Sequence, residues 1–120
     1  MPCVLLIGKD WSTRALLRAE LLEESVDVEA HETVGEAMKA LEPAPPFPAL
    51  LIADLSVSDD PEADADSLAP FARQVPIWVI AARTVTLPKD LKDRGFEMVL
   101  LKPLDAGKLV EQIKLQLKKQ

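Results

Sequence analysis

The chain has 120 residues, 48% of them apolar and 28% charged, with a net charge of −6 and one cysteine. That is enough chain for one hydrophobic core, too apolar for a disordered segment, and without any apolar stretch near the ~20 residues of a membrane helix. The lone Cys3 excludes an internal disulfide and a cysteine metal cluster, and the acidic balance argues against nonspecific nucleic-acid binding.

The first element is "CVLLIG" (3–8), an apolar run without alternation, which reads as a buried strand. "STRALLRAELLEE" follows as a helix, with Leu17 and Leu21 one turn apart and Leu16 and Leu22 flanking them. "VDVEAHE" (26–32) alternates, as a strand open to water on one side does, and so belongs at a sheet edge. "TVGEAMKAL" puts Val34, Ala37, Met38 and Leu41 on one helical face, and Thr33 with Glu36 forms a capping box. "ALLIAD" (49–54) is a second buried strand, ending on Asp54. The acidic stretch 58–66 reads as a solvated loop, or alternatively as a docking surface or a store of loosely held cations. "DSLAPFARQ" then predicts a helix with Leu68, Phe71, Ala72 and Val75 inward and Pro70 in its first turn. "PIWVIA" (76–81) is a third buried strand, and "LPKDLKDR" (87–94) a short helix with Leu91 to bury. "EMVLLK" (97–102) is the last strand. The C-terminal helix, 105–120, has Ala106, Leu109, Val110, Ile113 and Leu117 on one face, Asp105 as N-cap, and Lys118 and Lys119 at its negative end.

Buried strands alternating with amphipathic helices imply an α/β fold, (βα)₅, with a doubly wound parallel sheet covered on both faces. The flavodoxin-like order 2-1-3-4-5 places the alternating second strand at an edge, as its pattern requires. In such sheets ligands sit beyond the carboxyl ends of the strands, near the switch point between strands 1 and 3. Asp54 ends strand 3, Gly8, Lys9 and Asp10 follow strand 1, and Lys102 ends strand 5. Asp54 therefore lies at the functional edge, unless it merely caps the next helix.

On "VLLIGKDWSTRALL", "ALLIADLS", "PIWVIAA" and "VLLKPL", the sequence resembles the receiver domain of bacterial two-component response regulators, with the CheY-like fold, over essentially its whole length. The resemblance implies one receiver-like domain, 1–120; a cytoplasmic location is the default expectation from the single cysteine and an N-terminus without a signal-peptide pattern. It implies that Asp54 is the phosphoacceptor for a histidine kinase, that two acids after strand 1 hold Mg²⁺, and that a Ser or Thr ending strand 4 binds the phosphoryl oxygens. Lys102-Pro103 matches the lysine–proline pair that ends strand 5, whose peptide in the family is usually cis. Protein partners, a kinase or a downstream signalling protein, are expected on the fourth helix, fifth strand and fifth helix. A homodimer through that surface stays open.

The departures shape the functional expectation. The acid pair aligns with Gly8 and Lys9, and only the next residue, Asp10, is acidic. The Ser/Thr position is Ala81, with Thr84 three residues later, and the aromatic three before the lysine is Val99. Asp10, Asp54, Lys9 and Lys102 sum to zero formal charge, so Lys9 is expected to pair with Asp54 and stand where the metal's charge would be. Mg²⁺ takes several hard oxygen ligands and gives up water reluctantly. Asp10, Asp54 and Ser56 are weak metal candidates, and no cofactor is expected. The sequence thus predicts an atypical receiver, a pseudo-receiver acting by protein–protein contact with impaired Mg²⁺-dependent phosphorylation. The alternative is a working phosphoreceiver in a phosphorelay, which would use Mg²⁺.

Enzyme classes fit poorly. A haloacid-dehalogenase-type site needs a second aspartate two residues after the nucleophile, where this chain has Ser56. "GKDWS" lacks the spaced glycine of a P-loop, and one histidine and one cysteine assemble no nucleophilic triad. Cys3 and Trp78 read as core and His31 as a solvated edge residue. Trp11 is an exposed aromatic or a lid over the site. Leu104 and Leu115 fall off the main stripe of the last helix, which hints at a partner face.

Overall fold

In a computed structural model of the chain, residues 3–41, 47–82 and 91–119 are described. They form β1 (Cys3–Gly8), α1 (Trp11–Glu23), β2 (Asp27–His31), α2 (Val34–Leu41), β3 (Leu50–Asp54), α3 (Pro61–Leu68), a 3₁₀ turn (Ala69–Arg73), β4 (Ile77–Ala81), β5 (Met98–Leu101) and α4 (Ala106–Lys118). Thr84 and most of the helix expected at 87–94 lie outside the described residues, so α4 is the C-terminal helix.

The sheet has five parallel strands in the order β2-β1-β3-β4-β5. This is the expected doubly wound α/β arrangement. Successive side chains of a strand point to opposite faces, which splits each apolar run between two cores. Leu5, Ile7, Leu51, Ala53, Ile77 and Val79 face α2 and α3. Val4, Leu6, Leu50, Ile52, Trp78 and Ile80 face α1 and α4. Each fully buried Leu or Ile is worth about 1.5–3 kcal/mol relative to exposure, so both cores contribute. Trp78 is buried as expected, its Nε1 donating to Glu97 Oε1 at 3.4 Å. β5, at the other edge, is only half-buried, although its run reads like the central strands.

Two caps follow the sequence. Asp105 Oδ1 accepts from Lys108 N at 3.1 Å, and Thr33 Oγ1 accepts from Glu36 N at 3.1 Å. Glu36 Oε2 accepts from Glu32 N at 3.3 Å, one residue before the usual partner of a capping box.

The acidic stretch is a correction. Residues 58–66 are not a loop throughout, because α3 begins at Pro61. Asp60 is its N-cap, accepting from Ala63 N at 3.1 Å, and Pro61 occupies the first turn, where no N–H is needed. Glu62 and Asp64 then sit at the positive end of the helix dipole. Pro70, Phe71 and Ala72 fall in the 3₁₀ turn that finishes the segment.

Candidate functional site

The carboxyl ends of β1, β3 and β5 bring Asp10, Asp54 and Lys102 together. Gly8 ends β1 directly beside Asp54 in the parallel register. A Cβ on residue 8 would stand 2.9 Å from the Asp54 Cβ, so the two strands close in where only a hydrogen fits. The chain then turns at Lys9, and Asp10 caps α1. Asp10 Oδ1 accepts from Ser12 Oγ at 2.9 Å and Thr13 N at 3.4 Å. Asp10 Oδ2 accepts from Thr13 Oγ1 at 2.8 Å and from the Lys102 ammonium at 2.7 Å. These donors, Lys102 foremost, hold the Asp10 carboxyl well below the usual carboxylate range. Arg14 Nη1 donates back to the Gly8 carbonyl and fixes the start of the helix.

Asp54 is the buried carboxylate of the sheet, 7% exposed. Its Oδ1 accepts from both Ser56 N at 3.0 Å and Ser56 Oγ at 2.6 Å, an Asx turn closing on the residue two ahead. Its Oδ2 is fully buried and makes no hydrogen bond of good geometry. The Lys102 ammonium lies 3.1 Å from it, off the hydrogen-bond direction. Lys102 thus bridges Asp10 and Asp54. Burial opposes its charge, but the two carboxylates outweigh that, and its ammonium titrates above the usual lysine value. The Lys102-Pro103 peptide is cis. Ala81 is buried at the end of β4, paired with Leu101, and brings no hydroxyl.

The expected Lys9–Asp54 pair is not formed. Lys9 leaves the end of β1 toward the following loop, and its Nζ lies 2.5 Å from Asp59 Oδ2. Asp59 is a surface residue and Asp54 a buried one, so the ammonium keeps its hydration by taking the outer partner. The immediate site is Asp10, Asp54 and Lys102, which sum to −1 rather than zero. The Lys9–Asp59 link crosses a cavity of about 210 Å³ beside Asp54, also bordered by Glu32 and Asp64. A second groove of about 210 Å³ runs past Lys102 between Leu16, Pro103 and Leu104.

Mg²⁺ does not fit this donor set. The family's acid pair is Gly8 and an outward Lys9, Asp10 is committed to its cap and to Lys102, and Ser56 Oγ donates to Asp54 instead of facing outward. Among the described residues no group of three acidic, histidine or cysteine side chains could hold a metal ion. Trp11 lines neither cavity around Asp54, so it is no lid. It faces a groove toward β2. His31 is half-buried rather than solvated, its Nε2 3.5 Å from Glu29 Oε2. Asp59 was hidden from sequence reasoning, because its role depends on the loop's path. The Asp-x-Ser spacing of the Asx turn was a readable signal for Ser56 as a partner of Asp54.

No family model matches the chain, and no curated protein matches it. Solved structures do. One is described as the signal receiver domain of a Luxo repressor protein from Vibrio parahaemolyticus, with a TM-score of 0.79 and 28% identity, over 98% of this chain and 91% of that one. The receiver domain of the Francisella response regulator 1452 aligns with a TM-score of 0.82 and 16% identity, over 99% and 98% of the two chains. The receiver domain of NtrX from Brucella abortus gives 0.80 and 18%, over 98% and 99%. Strand order, the carboxylate at the end of β3 and the lysine–proline pair at the end of β5 coincide in one chain, which is built on the CheY-like fold of response-regulator receiver domains.

Proposed function

We propose that this chain is an atypical receiver-type signalling domain that works by protein–protein contact, with Mg²⁺-dependent phosphorylation of Asp54 impaired. The observation that carries this reading is the engagement of Asp54. One oxygen is held twice by Ser56, and the other is buried against Lys102. Phosphoryl transfer is chiefly positioning and charge neutralisation. An acceptor with one oxygen held twice by Ser56, one neighbouring carboxylate and no hydroxyl at Ala81 supplies little of either. The reading no longer rests on Lys9. It rests on the missing acids at Gly8 and Lys9 and on the lysine already placed between Asp10 and Asp54.

As a receiver-type domain the chain is a signalling module rather than an enzyme, and its partner is accordingly a protein. On this reading a histidine kinase or a downstream signalling protein meets the segment 87–94, β5 and α4, and the protein acts in the cytoplasm. No helix among the described residues is long and apolar enough to cross a membrane.

The alternative, a working phosphoreceiver, is favoured by the closeness of Lys102 to Asp54. Crystals soaked in Mg²⁺ and beryllofluoride separate the two. Asp54 still on Ser56 and Lys102 is the expected result. A beryllofluoride adduct on Asp54 with a bound metal overturns the proposal in favour of the alternative.

A further inference from the structure

On the reading that Asp54 is held rather than free, we infer that Lys9 is a positioning residue for it. The ion pair of Lys9 with Asp59 straps the β3–α3 loop to the end of β1 and so keeps Ser56 closed on the Asp54 carboxylate. Lys9 thereby has a role that the missing acid pair does not give it.

The loop has two firm ends. Leu55 is buried and donates its N–H to the Ile80 carbonyl at 2.8 Å, and Asp60 caps α3. Between them the bonds are local. Ser56 N and Oγ donate to Asp54, Ser58 N donates to the Leu55 carbonyl at 3.2 Å, and Ser58 Oγ donates to Asp64 Oδ2 at 2.6 Å. Val57 is 47% exposed and belongs to neither core. Among the described residues, one hydrogen bond or ion pair ties residues 56–59 to anything beyond β3, α3 and the loop itself. It is the Lys9–Asp59 pair, between residues 50 positions apart.

That pair spans the cavity beside Asp54. The crest of the loop is therefore held on both sides, by Ser56 on Asp54 and by Asp59 on Lys9. Glu32 and Asp64 reinforce Asp59, and these carboxylates, Asp59 foremost, hold the Lys9 ammonium above the usual lysine value. A neutral side chain at position 9 or 59 leaves the loop with its local bonds alone. The Asx turn at Ser56 then opens more often, while the strands beneath it are untouched.

The strap is weak. The Asp59 side chain is 88% exposed, so water and salt screen the pair. Exposed pairs of this kind shift a local equilibrium by about twofold, and by about fivefold at most.

Amide hydrogen exchange followed by NMR tests it, because the Ser56 N–H is freed only when its bond to Asp54 opens. Lys9→Met and Asp59→Asn should each speed exchange at Ser56 and Ser58 about two- to fivefold and leave Leu51, Ile52 and Ala53 of β3 unchanged. The double variant should exchange no faster than either single one, since both remove the same pair. Salt at about 0.5 M should speed Ser56 exchange in the parent chain and not in Lys9→Met. Unmoved Ser56 exchange, additive variants, a rise shared by β3, or a salt response that persists in Lys9→Met would each overturn the proposal. The experiment uses neither metal nor phosphodonor, so its failure and a beryllofluoride adduct on Asp54 are separate outcomes.

Discussion

Replacing Lys102 with methionine leaves the buried Asp54 charge without its neighbour. Removing one partner of a fully buried ion pair costs about 3–5 kcal/mol. The Lys102 side chain is 25% exposed, and water screens part of the loss, so about 2 kcal/mol is the expected destabilisation at neutral pH. In an Asp54→Asn background the buried charge is gone, while the side-chain oxygen can still accept from Ser56. Lys102→Met should then cost only about 0.5 kcal/mol, chiefly through Asp10, which keeps its bonds to Ser12 and Thr13. The two changes therefore couple by about 1.5 kcal/mol in a double-mutant cycle. Urea unfolding followed by far-ultraviolet circular dichroism measures it. A coupling below about 0.3 kcal/mol would refute the idea that Lys102 and Asp54 form one electrostatic unit.

Three further outcomes are expected. Asp10 titrates below its unfolded value of about 3.9, so its contribution to stability is fully present above that pH and is lost as pH falls toward the folded value. Asp10→Asn, which retains a helix cap, should flatten the acid limb of the stability curve below pH ~4; an unchanged limb counts against the Asp10–Lys102 pair. Asp60→Ala removes the α3 cap and should cost about 1 kcal/mol by urea unfolding, whereas a neutral result would mean that the first turn does not depend on it. Gly8→Ala forces a Cβ to 2.9 Å from that of Asp54 and should destabilise by about 1–3 kcal/mol, with a stable variant showing that the strands can part.

Much of the fold could be read from the chain because its apolar runs are short, unbroken and bounded by helical patterns. The alternation of "VDVEAHE" put β2 at an edge, and five strands with right-handed crossovers left little choice of order. β5 shows the limit, since its run resembles a central strand although it lies at an edge, where periodicity is silent. The start of α3 was written in Asp60-Pro61, an N-cap and a first-turn proline, but the density of carboxylates there read as solvated loop.

At the site, the meeting of Asp10, Asp54 and Lys102 was legible, because strand ends of a parallel sheet share one rim. The partner of Lys9 was not. A side chain leaving the end of a strand chooses among neighbours that the next loop supplies, and the path of residues 55–60 is a tertiary result. Likewise Trp11 sits in sequence beside the site but in space on the groove toward β2, because one step around a helix turns a side chain by about 100°.

The most direct measurement is intact-mass spectrometry of the purified chain after incubation with a small phosphodonor and millimolar Mg²⁺. An unmodified mass is expected, as Asp54 is held by Ser56 and Lys102 and no acid pair stands ready for the metal. Stoichiometric gain of one phosphoryl group, abolished by Asp54→Asn, would contradict it.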